Sequence, residues 1–318
     1  MKGAETHAVI TLRRVIPEKV NVLQSVLKRL SAVDEEYTNL QEQLRRARTG
    51  YAGEQRIDEL LDGVPLLDSA HILCDVELMQ HPIDCLIITT SFALILEVKN
   101  ISGRIDIDDS KHQCIRTRLD GTLEPFSNPT DQARKYQLFI QHLFQQWNVQ
   151  LPVECAVVFA NHKLILGNIT SDVPLFHVSG LTYRIHQFFQ KYPEKLSCNQ
   201  VTNIADKLKS LHTPYQWQLK TARHKLRTGV LCERCNKVMH YLKGSWQCES
   251  CQFNSDAALV QAMQDYRLIW NHKITNREFR HFTGIESIYT ANYLLKKLNF
   301  KSEGKFKDKV YLIEKRSD

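Results

Sequence analysis

Ile83-Asp84-Cys85-Leu86-Ile87-Ile88 and Phe92-Ala93-Leu94-Ile95-Leu96-Glu97-Val98-Lys99 are two apolar runs separated by Thr89, Thr90 and Ser91. Such runs around a short polar gap predict a β-hairpin. With Thr90-Ser91 as the turn, Ile88 faces Ala93, and counting outward sets Asp84 opposite Glu97. Directly opposed residues point to one face with Cβ atoms about 5 Å apart. Lys99, two residues beyond Glu97, lies on that same face. Two carboxylates this close repel each other unless a cation sits between them. Mg²⁺ or Mn²⁺ suits the place, because hard oxygen ligands completed by water are what Mg²⁺ prefers. The bound ion then lowers the pKa of a water and stabilises charge on a phosphodiester. Lys99 would orient the attacking water or balance charge on the phosphorus. An E-x-K triplet alone carries no signal; the apolar hairpin that gathers three charged groups does. A slip of one residue in the turn would undo the arrangement.

Residues 71–78, 104–107 and 114–118 read as further strands, with a break at His81-Pro82. Pro129 precedes a helix from Asp131 to about Trp147, and 153–160 is a continuous apolar run of the buried-strand type. Strands, a helix and a buried strand make a mixed α/β domain. Upstream, 17–48 reads as amphipathic helix in two pieces. Pro17 begins it, Val20, Leu23, Val26, Leu27 and Leu30 recur at helical spacing, and Leu40 and Leu44 mark the second piece. Gly50 and Gly53 are expected to break the pattern before Glu54 opens a short helix that Asp62-Gly63 ends. Residues 175–228 read as mostly helical and polar, and the chain shows no internal repeat.

The hairpin and its surroundings resemble a known family. Gly53-Glu54, Ile83-Asp84, Leu96-Glu97-Val98-Lys99-Asn100-Ile101-Ser102-Gly103, Asn128-Pro129 and Gln132 are similar to the NERD (nuclease-related) domain of the PD-(D/E)XK nuclease superfamily, over residues 48–165. The resemblance implies a restriction-endonuclease-like core, a central mixed sheet flanked by helices. It also implies Asp84 and Glu97 as metal ligands, Lys99 as the catalytic lysine, and Glu54 as a further ligand or water-positioner. Gln132 and Tyr136 form Gln-x-x-x-Tyr, similar to the motif that follows the lysine in RecB-like nucleases. On a helix this spacing sets both on one face, where they could hold substrate backbone or orient the lysine.

The 318 residues suffice for about two domains, and 43% apolar with 24% charged residues is ordinary for a soluble protein. The formal net charge is +7. From Arg267 to Asp318 there are twelve basic and six acidic residues, so +6 of that excess sits in the last sixth of the chain, which points to nucleic acid or an anionic surface as partner. No signal-peptide core and no membrane-length apolar run is present, so a cytoplasmic protein without a membrane partner is expected. The scattered histidines show no metalloprotease spacing, and no phosphate-binding glycine loop occurs.

Of nine cysteines, five are scattered and four form Cys232-x2-Cys235 and Cys248-x2-Cys251, twelve residues apart. Two such knuckles supply a closed tetrahedral Zn²⁺ site, and Val238, Tyr241 and Trp246 between them suit the hairpin of a zinc ribbon. Iron is the competing metal, since spacing alone does not fix it. Farther on, Thr275 with Glu278 is a capping-box pattern and Gly284 ends that helix. A second helix over 287–298 turns Ile288, Tyr293, Leu294 and Leu298 to a core, with Tyr289 and Asn292 outside. Basic residues around Gly304 and a strand at 310–313 follow. Helix, glycine turn, helix and basic hairpin resemble a winged helix-turn-helix, with Lys296, Lys297, Lys305, Lys307 and Lys309 as candidate nucleic-acid contacts. The whole arrangement from Gly229 onward is similar to the tail of some bacterial NERD proteins.

The organisation expected is thus a helical segment (1–48), a nuclease-like domain (49–165), a helical connector (166–228), a zinc ribbon (229–255) and a winged-helix-like basic region (256–318). The function expected is a Mg²⁺-dependent nuclease acting on DNA or RNA. The alternative is an inactive nucleic-acid-binding or protein-interaction protein on a nuclease fold.

Overall fold

Antiparallel pairing of the two apolar runs follows the expected register, Ile88 opposite Ala93 and Cys85 opposite Leu96. The computed structural model describes residues 8–315 except 216. Arg316 and Asp318 of the basic tail lie outside the described residues, as does the side chain of Lys307.

In chain order the elements begin with β1 (Val9–Leu12), α1 (Glu18–Arg29), α2 (Tyr37–Asp62), β2 (His71–Leu78), β3 (His81–Ile88) and β4 (Ala93–Lys99). Next come β5 (Gly103–Asp108), β6 (Gln113–Thr117), β7 (Leu123–Phe126), α3 (Pro129–Gln146), β8 (Val153–Phe159), β9 (Leu164–Thr170), β10 (Leu175–His177), α4 (Leu181–Lys191) and α5 (Cys198–Ser210). The remainder is β11 (Val230–Leu231), β12 (Val238–Leu242), β13 (Ser245–Gln247), α6 (Ala257–Ile269), β14 (Lys273–Thr275), α7 (Asn276–Thr283), α8 (Ile288–Lys297), β15 (Lys301–Glu303) and β16 (Val310–Leu312). The chain divides into two compact units. One joins the segment ending at Ile16 to Arg48–Gln216, and the other joins Pro17–Ala47 to Trp217–Asp318.

The first unit is mixed α/β. Its main sheet runs β1-β2-β3-β4-β8-β10, and a second sheet runs β7-β6-β5-β9. In the main sheet β2, β3 and β4 are antiparallel neighbours, whereas β8, apolar and buried apart from Glu154, joins β4 in parallel. Pleat alternation sorts the strand side chains into two layers. Leu73, Leu86, Ile95 and Val157 pack with Ala133, Tyr136 and Ile140 of α3 and Val201 and Leu208 of α5. Cys85, Leu94, Leu96 and Val158 pack with Ile57 and Leu61 of α2 and Leu181 and Ile185 of α4.

Four sequence expectations are corrected here. Gly50 and Gly53 lie inside the unbroken helix α2. Gly53 is small for packing, since a Cβ there would fall 2.4 Å from the Cβ of Asn100. His81 and Pro82 open β3 rather than breaking the sheet; the turn is Met79-Gln80, both with positive φ, the hairpin geometry that matches strand twist. The stretch read as a helical connector contains β9 and β10, one in each sheet, beside α4 and α5. In α8 the buried residues are Ala291, Leu294 and Leu295, while Ile288 and Tyr293 are exposed.

In the second unit the sheets are β11-β12-β13 and β14-β16-β15, both antiparallel. Cys232, Cys248 and Trp246 share a core with Leu259 and Met263 of α6, Phe279 of α7 and Leu294 of α8. Val20, Leu23 and Val26 of α1 pack with Leu40, Leu44, Leu226 and Ile269. Among the described residues no helix is long and apolar enough to cross a membrane.

Candidate functional site

Where β2, β3 and β4 pass side by side, the ladder opens. Cys74 pairs with Cys85 and Val76 with Ile83, leaving Asp75 and Asp84 unpaired between them. Asp75 has φ +49, and the pleat changes phase there: Ile72 and Cys74 face one core layer, whereas Val76 and Leu78 both join the other. Continuing the β3–β4 register one step past Cys85 and Leu96 brings Asp84 level with Glu97. Three neighbouring strands therefore set Asp75, Asp84 and Glu97 in one row.

Around Glu97 the polar groups form a chain. Lys99 Nζ donates to Glu97 Oε1 at 2.5 Å and to Gln132 Oε1 at 3.2 Å. Gln132 Nε2 in turn donates to the Tyr136 hydroxyl at 3.1 Å. Gln132 is held at the start of α3, where Pro129 occupies the first turn and Asn128 caps it by accepting from the Thr130 N–H. Asn128-Pro129 thus has a physical role: a preset φ and a side-chain cap. Tyr136, expected to meet nucleic acid, is only 4% exposed, so it fixes Gln132 instead. Asp84 accepts the Val98 N–H at 2.7 Å. Glu97 is 1% exposed, and its Oε2 is buried with no hydrogen-bond partner among the described residues.

Glu54 does reach this neighbourhood, but through Arg14. Arg14 Nη1 donates to Glu54 Oε2 at 2.9 Å and to Asp75, Nε donates to Asp58 Oδ2 at 2.8 Å, and Nη2 donates to the Asp84 carbonyl at 2.7 Å. Arg14, Asp58 and Asp75 had no role in the sequence reading. Asp58 was findable, being four residues beyond Glu54 on one helical face. Asp75 was visible as an acid within an apolar strand. Arg14 offered no signal, since it lies sixty residues from the strands it serves.

The electrostatics record crowding. Burial, then the charge of Asp84, pushes Glu97 up to about 8, although Lys99 opposes the shift. Burial and Asp84 likewise push Glu54 up to about 7 against the pull of Arg14. Asp75 rises to about 6, chiefly through burial. Asp84 is raised by burial, against Lys99 and the Val98 N–H. Burial alone would lower Lys99, but Glu97 and Asp84 raise it, so the ammonium stays charged. For Glu54, Asp75, Asp84 and Glu97, burial, with repulsion from neighbouring acids at all but Asp84, outweighs the pull of Arg14 and Lys99.

These residues fit a hard divalent ion. The orphaned Glu97 oxygen and the neighbouring Asp84 carboxylate are oxygen donors whose repulsion a dication would relieve. Among the described residues no three carboxyl groups bring oxygens within 4.8 Å of one another. A pair of carboxylates completed by waters is a donor set that Mg²⁺ accepts.

The four cysteine sulfurs, by contrast, all lie within 4.8 Å of one another. Cys232 and Cys251 are 3.6 Å apart, Cys235 and Cys248 3.4 Å. A tetrahedral zinc with bonds of about 2.3 Å would set its sulfurs about 3.8 Å apart. The knuckles are built alike. Asn236 and Gln252 take positive φ and donate to the carbonyls of Cys232 and Cys248, whose own N–H groups donate to Lys237 and Phe253. The group can hold a structural zinc.

On α8, Lys296 is exposed, and Lys297 is drawn to Asp256 at 3.0 Å. Lys305 is exposed before the turn at Phe306–Asp308.

Residues 49–160 match the family model NERD, nuclease-related domain, so this segment of the chain is a nuclease-related domain. No curated protein and no solved structure matches the chain.

Proposed function

We propose that the first unit is a Mg²⁺- or Mn²⁺-dependent phosphodiesterase acting on nucleic acid, DNA or RNA, on a restriction-endonuclease-like core. The observation that carries the reading is the buried, unpartnered Glu97 oxygen beside Asp84 and a charged Lys99, within a nuclease-related domain. Asp84 and Glu97 would hold the ion, which when bound supplies Lewis acidity toward the phosphate and a more acidic water. Lys99, kept protonated by the two acids, would meet the charge that grows on the phosphate oxygens. Gln132, braced by Tyr136, keeps the ammonium aimed. Glu54 has the raised pKa of a group able to exchange a proton near neutrality.

The second unit would add affinity. Its order α6-β14-α7-α8-β15-β16 supports a winged-helix reading. Tyr289, 87% exposed on α8 with Lys296, supports nucleic acid as the ligand. Incubation of the zinc-loaded chain with labelled single- and double-stranded DNA and RNA, with Mg²⁺ or Mn²⁺, tests the proposal. Cleavage lost in Asp84→Ala and Lys99→Ala is expected. Binding without cleavage of any substrate would leave an inactive binder instead.

A further inference from the structure

We propose that Arg14 fills the position a second divalent cation would otherwise take, so that the nuclease-related unit holds one metal ion rather than two. The inference rests on the reading of Asp84 and Glu97 above and deepens it.

The Arg14 side chain is 2% exposed. A guanidinium has five N–H donors in a fixed fork, and all five have an acceptor here. Nε and one Nη2 proton go to the two oxygens of Asp58, at 2.8 and 3.2 Å. The other Nη2 proton goes to the Asp84 carbonyl at 2.7 Å, and the Nη1 protons go to Glu54 at 2.9 Å and to Asp75. Three carboxylates and a backbone carbonyl make an oxygen-only shell around the guanidinium, the donor type a hard dication takes, although the three carboxylates do not all come within 4.8 Å of one another and would have to close by the width of the displaced fork. The shell adjoins the candidate metal site, because Asp84 contributes its carbonyl here and its carboxylate there.

Charge decides what the shell holds. With Arg14 in place a dication entering it would meet a buried positive charge at contact distance. Without Arg14, Glu54, Asp58 and Asp75 would lose the cation that each of them contacts, and a dication could replace it. Lysine would keep the charge while offering three donors instead of five.

Titration of the full-length, zinc-loaded chain with Mn²⁺, followed by the electron paramagnetic resonance signal of the free ion, reads the number bound. The wild type should take up one Mn²⁺, lost in Asp84→Asn. Arg14→Ala should take up two, the additional one abolished by adding Glu54→Gln, and Arg14→Lys should remain at one. Should Arg14→Ala not fold, Arg14→Met, which keeps the apolar stem, serves the same comparison. Two ions in the wild type, or no gain on removing the guanidinium, would overturn the proposal. If the wild type binds none, the metal reading of Asp84 and Glu97 fails by itself. In that case a gain of one ion in Arg14→Ala still upholds exclusion by Arg14, and no gain refutes it.

Discussion

Replacing Gly53 and Gly50 by alanine should shift stability in opposite directions, although the two sit three residues apart in α2. Helix propensity alone favours either change by about 1 kcal/mol. At Gly50 nothing opposes it, since the new Cβ would be 3.9 Å from the nearest atom, Glu54 Oε1. At Gly53 the new Cβ would lie 2.4 Å from the Asn100 Cβ, 3.0 Å from its Cγ and 3.1 Å from its Nδ2. Asn100 cannot yield freely, because its Nδ2 donates to the Thr49 carbonyl at 2.7 Å. Overpacking costs about 1–3 kcal/mol, and loss of that hydrogen bond about 1 kcal/mol more. The clash therefore wins at Gly53, with a net loss of about 1–3 kcal/mol. A unit of this size shifts by about 2–4 °C per kcal/mol. Calorimetric melting should show Gly50→Ala raised by a few degrees and Gly53→Ala lowered by about as much or more. Because Asn100 follows Lys99, Gly53→Ala should also shift Lys99 and slow cleavage, although no site residue is itself substituted. Stabilisation of both variants alike would refute the packing argument.

Three further outcomes follow from buried charge and sulfur. In chelator, the raised acids Glu97 (about 8), Glu54 (about 7) and Asp75 (about 6) hold protons more tightly folded than unfolded. Their contribution to stability is thus complete below the ordinary carboxylate range and lost as pH rises through 6 to 8; Glu97→Gln should flatten that part of the melting profile, and an unchanged profile would count against it. The Arg29–Asp265 pair, 2.8 Å apart with both side chains buried, should make Asp265→Ala cost about 3–5 kcal/mol in urea unfolding. Exposed Glu314→Ala, at Lys301, should cost far less, and equal costs would contradict the burial argument. A strong zinc chelator, or Cys235→Ser, should red-shift tryptophan fluorescence, because Trp246 and two of the cysteines share one core with α6, α7 and α8; an unshifted spectrum would show that the core stands without metal.

The hairpin could be read from sequence because its information is local. Apolar runs and a short polar gap specify the register, and the register sets Asp84 level with Glu97. The cysteine knuckles were legible for the same reason, as spacing alone fixes two thiolates per turn. Gly53 misled because a glycine needed for close approach to Asn100 looks the same in sequence as one that ends a helix. The phase change at Asp75 was hidden, since a single positive φ leaves no periodic trace. Arg14 was hidden by distance: the segment after β1 meets residues 54–84 only after folding. The strands β9 and β10 were missed although Leu164, Ile165, Leu166, Leu175 and Phe176 are apolar, because both are short and largely half-exposed and show no sustained alternation.

Crystals grown with Mn²⁺ and examined by anomalous scattering address the central claim most directly. The account predicts a manganese peak between the Asp84 carboxylate and Glu97 Oε2, with the Lys99 ammonium beside it. Manganese bound only elsewhere, with Glu97 Oε2 still unpartnered, would contradict it.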